Sequence, residues 1–232
     1  MSSPSITAAP RPLVVFDLDG TLIDTAPDLV ASCNHSIAGE GLEPLSRADL
    51  NEAFSHGSRA MITRAFTLHG RELTTDTLDR LQAIFLDHYL AGMPGASRPF
   101  PGLIDALDRL EAAGIAAAVC TNKLEAPARR LLDTLDMTPR FAAITGGDTF
   151  PVRKPHADHL IGTIRLAGGA PDTTVMVGDS LNDMLVARNA GVAALGVPFG
   201  YTDVPIAALS PNHVIDHYDE LDAALFARLT GR

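Results

Sequence analysis

Leu13-Val14-Val15-Phe16-Asp17-Leu18-Asp19-Gly20-Thr21-Leu22 is the stretch on which the fold turns. Its first four residues form an uninterrupted apolar run, the pattern of a strand buried on both faces of a sheet, and the run ends abruptly in two aspartates and a glycine. Similar runs recur down the chain. Ile115 to Cys120 leads into Thr121-Asn122, Phe141 to Ile144 into Thr145-Gly146-Gly147-Asp148, Thr174 to Val177 into Gly178-Asp179-Ser180, and Val192 to Leu195 into Gly196. Helix-like segments lie between them: Leu103 to Ala113, Ala126 to Leu135, His156 to Ala167 and Leu181 to Ala190. Alternating strands and helices predict an α/β fold, a Rossmann-like parallel sheet core flanked by helices. Ligands of such sheets bind beyond the carboxyl ends of the strands, where Asp17, Thr121, Asp148 and Asp179 fall.

Residues 25–98 break the alternation. Apolar residues there recur at helical spacing, as in Leu29, Val30, Cys33 and Ile37 and again in Leu78, Leu81, Ile84 and Phe85, and no strand pattern appears. Ser46-Arg47-Ala48-Asp49 reads as a capping box that opens one helix. Pro27 lies near one end of the segment, and Pro94, Gly95, Pro99, Pro101 and Gly102 crowd the other, as linkers do. These signals predict an all-helical cap domain, 25–98, inserted after the first strand into a catalytic core made of 13–24 and 99–232, with a flexible N-terminal tail at 1–12.

Composition narrows the function classes. A 46% hydrophobic content over 232 residues supports a sizeable core and excludes disorder as the main state. Eighteen basic and 28 acidic residues leave a net charge of −10, which repels a phosphate backbone and argues against nucleic acid as a partner. Cys33 and Cys120 are too few for a disulfide framework and fit a reducing compartment. No apolar run of about 18 residues is present to span a bilayer, and the opening residues lack a signal-peptide core. The expectation is a cytoplasmic protein, monomer or homodimer, with neither membrane nor nucleic acid as partner.

Two carboxylates two residues apart at a strand end can divide the work of phosphoester hydrolysis, Asp17 or Asp19 as nucleophile and the other as general acid and base. That geometry holds if the chain stays extended, and Asp-Gly is equally an ordinary turn. Gly178-Asp179-Ser180-Leu181-Asn182-Asp183 adds two acids at i and i+4. Several carboxylates beside a phosphate dianion need a cation, and hard oxygen ligands with phosphate select Mg²⁺. The same residues also suit a helix start, capped by Asp179 or Ser180 with Asp183 in the first turn. Only two lysines occur against sixteen arginines. One of them, Lys154, precedes Pro155 close after the third strand, where its point charge can offset phosphoryl oxygens, unless it is simply solvated. Thr121 and Asn122 can donate hydrogen bonds to the same group or merely end the strand. His156 and His159, like His213 and His217, lack a zinc-binding context, and Gly168-Gly169 reads as a helix-ending turn without any nucleotide-binding pattern around it.

Taken jointly and in order, these segments resemble the motifs of the haloacid dehalogenase superfamily of phosphotransferases. Asp17 to Leu22 resembles its first motif, Thr121 within Val119-Cys120-Thr121-Asn122-Lys123 its second, Lys154-Pro155 its third, and Gly178 to Asp183 its fourth. The resemblance implies that Asp17 is the nucleophile, Asp19 the acid/base, and that Thr121 and Lys154 hold the phosphoryl group. It also implies Mg²⁺ as cofactor, bound by Asp17, the Asp19 carbonyl and Asp179, with Asp183 in support. Phe100-Pro101-Gly102, Thr121-Asn122-Lys123, Thr145-Gly146-Gly147-Asp148 and Phe199-Gly200-Tyr201 are most similar to bacterial phosphoglycolate phosphatases. The implied partner is therefore a small phosphorylated metabolite.

The cap departs from that subgroup. Members often carry a Gly-x-Gly loop where this chain has Ser55-His56-Gly57 followed by Ser58-Arg59. His56, Gly57, Ser58 and Arg59 are the expected readers of the substrate beyond phosphorus, with Arg59 placed to pair with a carboxylate at a helix start. A small phosphosugar phosphatase and a beta-phosphoglucomutase-like mutase are the enzymatic alternatives. A phospho-aspartate receiver switch is the non-enzymatic one, disfavoured by Asp19 and by the helical insertion.

Overall fold

The computed structural model describes residues 9–202 and 204–231. Most of the expected tail, residues 1–8, lies outside the described residues, and from Arg11 onward the chain is tied to the core: the Arg11 N–H donates to the Gly168 carbonyl and the Pro12 carbonyl accepts from Ala116. In chain order the elements are β1 (Leu13–Phe16), β2 (Ile23–Asp24), α1 (Ala26–Ala38), α2 (Arg47–Leu50), α3 (Ser58–Leu68), α4 (Thr75–Gly92), β3 (Arg98–Pro99), α5 (Leu103–Ala112), β4 (Ala116–Cys120), α6 (Glu125–Thr134), β5 (Phe141–Thr145), α7 (Ala157–Leu166), β6 (Thr174–Gly178), α8 (Leu181–Ala190), β7 (Ala193–Gly196), β8 (His213–Val214) and α9 (Ala223–Thr230).

Six strands form one sheet in the order β5-β4-β1-β6-β7-β8, with every neighbouring pair parallel. β1 is flanked by β4 and β6, so its carboxyl end opens where the chain order of the sheet reverses, the position at which ligands bind in such folds. The pleat sends alternate residues to opposite sides. Val14, Phe16, Val119, Val175 and Val177 pack with α5, α6 and α9 on one face, while Leu13, Val15, Ala118 and Met176 pack with α7 and α8 on the other. Burial on both faces is why these strands read as continuous apolar runs.

Helices α1–α4 bury a separate cluster that includes Cys33, Ile37, Met61, Ile62, Phe66, Leu81 and Phe85. The Ser46 capping box forms, with Asp49 accepting from the Ser46 N–H at 2.8 Å, but α2 spans only four residues. One strand pair was not foreseen from the sequence. β2 and β3 pair antiparallel, Ile23 with Pro99 and Asp24 with Arg98, and bring the two linkers side by side. Two residues per strand are too few for periodicity to register.

Candidate active site

Sheet register decides which residues meet. Phe16 is level with Val119 of β4 and Val177 of β6, so Asp17, Thr121 and Asp179 leave the sheet at the same end within a residue or two of one another. Past Phe16 the chain does not stay extended. The Leu18 carbonyl accepts from the N–H groups of Leu22 and Ile23, both at 3.0 Å, and so turns the backbone. Gly20 has φ +80, and a Cβ there would lie 2.5 Å from Asp179 Oδ2. A side chain at this turn would therefore be both strained and obstructed.

That turn gives the two aspartates different partners. Asp17 Oδ1 accepts from the Leu18 N–H at 2.7 Å and stands 2.9 Å from Lys154 Nζ. Asp19 Oδ1 accepts from Thr25 Oγ1 at 2.7 Å, and both its oxygens lie 3.1 Å from Lys123 Nζ. Asp17 keeps 13% of its side chain exposed, which leaves it an open side, whereas Asp183 is fully buried.

Lys154 is held at both ends. Its Nζ also reaches Asp183 Oδ1 at 2.7 Å, its N–H donates to His159 Nδ1 at 3.1 Å, and its carbonyl accepts from Asn122 Nδ2 at 3.0 Å. Burial opposes its charge, yet Asp17 and Asp183 outweigh that and raise its pKa. His159 is pushed down to about 4 by burial and by Lys154, so at neutral pH it is uncharged and free to accept the lysine N–H. Thr121 is buried at the end of β4, where its N–H donates to the Thr145 carbonyl.

Asp183 serves the helix start and the acidic cluster at once: the Ser180 N–H and hydroxyl both donate to its Oδ2, at 3.0 and 2.6 Å. Asp179 accepts from Thr21 Oγ1 at 2.8 Å and from the Tyr201 N–H at 2.7 Å. Asp17, Asp179 and Asp183 each offer an oxygen within 4.8 Å of the others. Burial raises Asp17 to about 6, Lys154 opposing and Asp183 adding to it. Burial, then Asp183 and Asp17, raise Asp179 to about 8. One ammonium group does not compensate three buried carboxylates, and a hard-oxygen donor set with residual negative charge fits a divalent cation.

Among the cap candidates, Ser58 and Arg59 bond to α4. Gly57, at φ +84, turns the chain into α3. Ser58 Oγ accepts from Gln82 Nε2 at 3.4 Å, and Arg59 Nη1 donates to Asp79 Oδ1 at 2.5 Å and to Gln82 Oε1 at 2.8 Å. His56 ends the short turn Asn51–His56 that precedes Gly57. Asp148, which the sequence places at a strand end, instead caps α6 by accepting from the Glu125 N–H at 2.7 Å. Four residues of the site were given no role from the sequence: Thr25, and Thr21, Lys123 and Tyr201, which entered only as members of motifs. Lys123 did carry a signal, as one of only two lysines. Tyr201 lies within Phe199-Gly200-Tyr201, but nothing local points to its contacts, which reach Asp179 across 22 positions and Asp24 across 177.

Comparison with known proteins bears on the same residues. The family profile described as haloacid dehalogenase-like hydrolase matches residues 14–197. A phosphoglycolate phosphatase of Agrobacterium fabrum is 54% identical over 221 residues, covering 95% of each chain. Another, from Mesorhizobium japonicum, is 49% identical over 219 residues, 94% of this chain and 96% of the relative. Among solved structures, one described as a predicted phosphoglycolate phosphatase from Haemophilus somnus superposes with a TM-score of 0.84 at 30% identity, over 91% of this chain and 96% of the other. Among the described residues no helix is long and apolar enough to cross a membrane.

Proposed function

The chain belongs to the haloacid dehalogenase-like hydrolase family, and from that premise we propose that it is a Mg²⁺-dependent phosphomonoester hydrolase that converts 2-phosphoglycolate and water to glycolate and phosphate through an aspartyl-phosphate. The observation that carries this is the division of the two aspartates: Asp17 faces Lys154 beside the acidic cluster, while Asp19 is held separately by Lys123 and Thr25. Carboxylates in different surroundings suit different roles. The 54% identical relative named phosphoglycolate phosphatase supports the choice of substrate.

Asp17 attacks phosphorus, the bond to the glycolate oxygen breaks, and Asp19 gives that oxygen its proton. Asp19 then takes a proton from the water that attacks the aspartyl-phosphate, which releases phosphate and restores Asp17. Lys154 and Thr121 hold the phosphoryl oxygens. Asn122 fastens the Lys154 main chain. The cation would be held by Asp17, Asp179 and the carbonyl of Asp19, with Asp183 in support, and would neutralise the phosphoryl oxygens against the aspartates. His56, Gly57 and Ser58 belong to this proposal as the part of a helical lid that would face the substrate beyond phosphorus, while Arg59 is held by Asp79 and Gln82. The partner is a small phosphorylated metabolite, and the setting is the cytoplasm.

Phosphate release measured across 2-phosphoglycolate, hexose phosphates and ethyl phosphate tests the assignment. Many turnovers with kcat/KM highest on 2-phosphoglycolate are expected. A single equivalent of phosphate per chain would indicate a receiver switch, and a preference for hexose phosphates would move the substrate to the sugars.

A further inference from the structure

Lys123 stands three residues past the end of β4, outside the group formed by Asp17, Lys154 and Asp183, yet its side chain is only 11% exposed. Its Nζ lies 3.1 Å from each oxygen of Asp19 and 4.4 Å from the ring centre of Tyr89 on α4. Three parts of the chain thus meet at one ammonium group: the turn after β1, the loop after β4, and the helical unit. Burial works against the charge, but Asp19 and Tyr89 outweigh it and raise the lysine pKa.

A point charge in contact with both oxygens of one carboxylate holds the direction in which that carboxylate points. Thr25 adds a second restraint. It occupies the N-cap position of α1, where a threonine hydroxyl ordinarily caps the helix, yet makes no cap hydrogen bond and donates to Asp19 instead. Tyr89 also presents its ring face to the lysine, which attracts an ammonium.

We propose that Lys123 is a positioning residue for Asp19 and that Tyr89 seats it, so that the docking of α4 against the core sets the orientation of the acid/base carboxylate. This rests on the assignment of Asp19 as the acid/base. Loss of the ammonium group frees the carboxylate to swing away, and misplacement of a reacting group by about 1 Å costs on the order of 100-fold in rate.

The test uses the full chain with Mg²⁺, 2-phosphoglycolate and ethyl phosphate. Lys123→Met should lower kcat about 10- to 100-fold on both substrates with KM changed less than about threefold, and slow both formation and decay of the phospho-enzyme. Lys123→Arg should recover part of the loss, and Tyr89→Phe, which keeps the ring, should retain more activity than Tyr89→Leu. The double variant Lys123→Met/Tyr89→Leu should be no slower than Lys123→Met alone. A loss confined to 2-phosphoglycolate and carried by KM would mean that Lys123 reads the substrate carboxylate, and would overturn the proposal. Additive losses in the double variant would remove Tyr89 from it. Normal kcat in Lys123→Met beside an inactive Asp17→Asn would overturn this inference alone, whereas an active Asp17→Asn would overturn the reaction itself.

Discussion

The charges at the strand ends of the α/β core and the ion pairs of the helical unit are placed in opposite ways. In the core, Lys154 and Asp183 are almost wholly withdrawn from water, and the carboxylates around them keep raised pKa values. In the helical unit, Arg59 pairs with Asp79, Arg64 with Glu52 and Arg80 with Glu40, each pair with at least one partner about half exposed or more. Exposed pairs contribute little to stability, and buried ones repay their desolvation poorly. A fold that wanted only stability would not bury three aspartates and a lysine at a strand end. The core charges are therefore the ones to expect in chemistry, and those of the helices in solubility and local fit. Both halves of that contrast can be broken by substitution.

The largest effect belongs to Asp17. Asp17→Asn keeps the shape but removes the anionic nucleophile, so kcat on 2-phosphoglycolate should fall by about three orders of magnitude or more. Near-normal turnover would erase the distinction between the two regions. Asp19→Asn comes next, with a loss of about 10²–10⁴ expected in both formation and breakdown of the phospho-enzyme, the range of general acid–base catalysis. Single-turnover traces in which only formation slows would deny Asp19 its second role.

The two regions were also unequally legible in the sequence. Asp17, Thr121 and Asp179 follow apolar runs directly or within a residue, so strand-end position alone brings them together, whereas Lys154 reaches them from a loop after β5. Asp148 shows the limit of that logic, because the same position serves equally well to cap α6. Long-range partners were hidden. Tyr201 lies in a recognisable motif, but that its N–H donates to Asp179 and its hydroxyl to Asp24 is tertiary approach that the motif does not express. The turn at Leu18, which separates Asp17 from Asp19, depends on Gly20 approaching Asp179, a contact that local spacing cannot express. In the helical unit, periodicity revealed the buried faces but not the pairing of exposed residues across helices, and so Arg59 looked free.

Metal removal should change stability in a pH-dependent way. In chelator, Asp17 and Asp179 have folded-state pKa values of about 6 and about 8, both raised first by burial, against an ordinary 3.8. The folded chain then binds more protons than the unfolded chain between about pH 4 and pH 8, so stability falls as pH rises through that window. A divalent cation competes with those protons and binds better at the higher pH. With Mg²⁺ at about 100 times its Kd, stabilisation of about 2.7 kcal/mol corresponds to roughly 5–10 °C in Tm for a domain of this size. The Tm gap between Mg²⁺ and EDTA should thus be small at pH 5 and wide at pH 8. A gap independent of pH would separate the metal from these aspartates.

The smallest effect is expected at Arg59, and it sharpens the contrast from the helical side. Its side chain is 44% exposed and its partner Asp79 is 58% exposed, so the pair is screened by water and salt. Arg59→Ala should cost about 0.5 kcal/mol of stability, within the range for exposed pairs, and high salt should shrink even that. In the bonding seen here the guanidinium is committed to Asp79 and Gln82, so kcat/KM should change less than about threefold on both 2-phosphoglycolate and ethyl phosphate. The opposite outcome is as informative. A loss of about 1.5–3 kcal/mol in kcat/KM on 2-phosphoglycolate alone, the size of a hydrogen bond to a charged group, would mean that Arg59 exchanges Asp79 for the substrate carboxylate when the helices close. The helical unit would then hold a charge for chemistry after all, one drawn from the surface on demand instead of buried in advance.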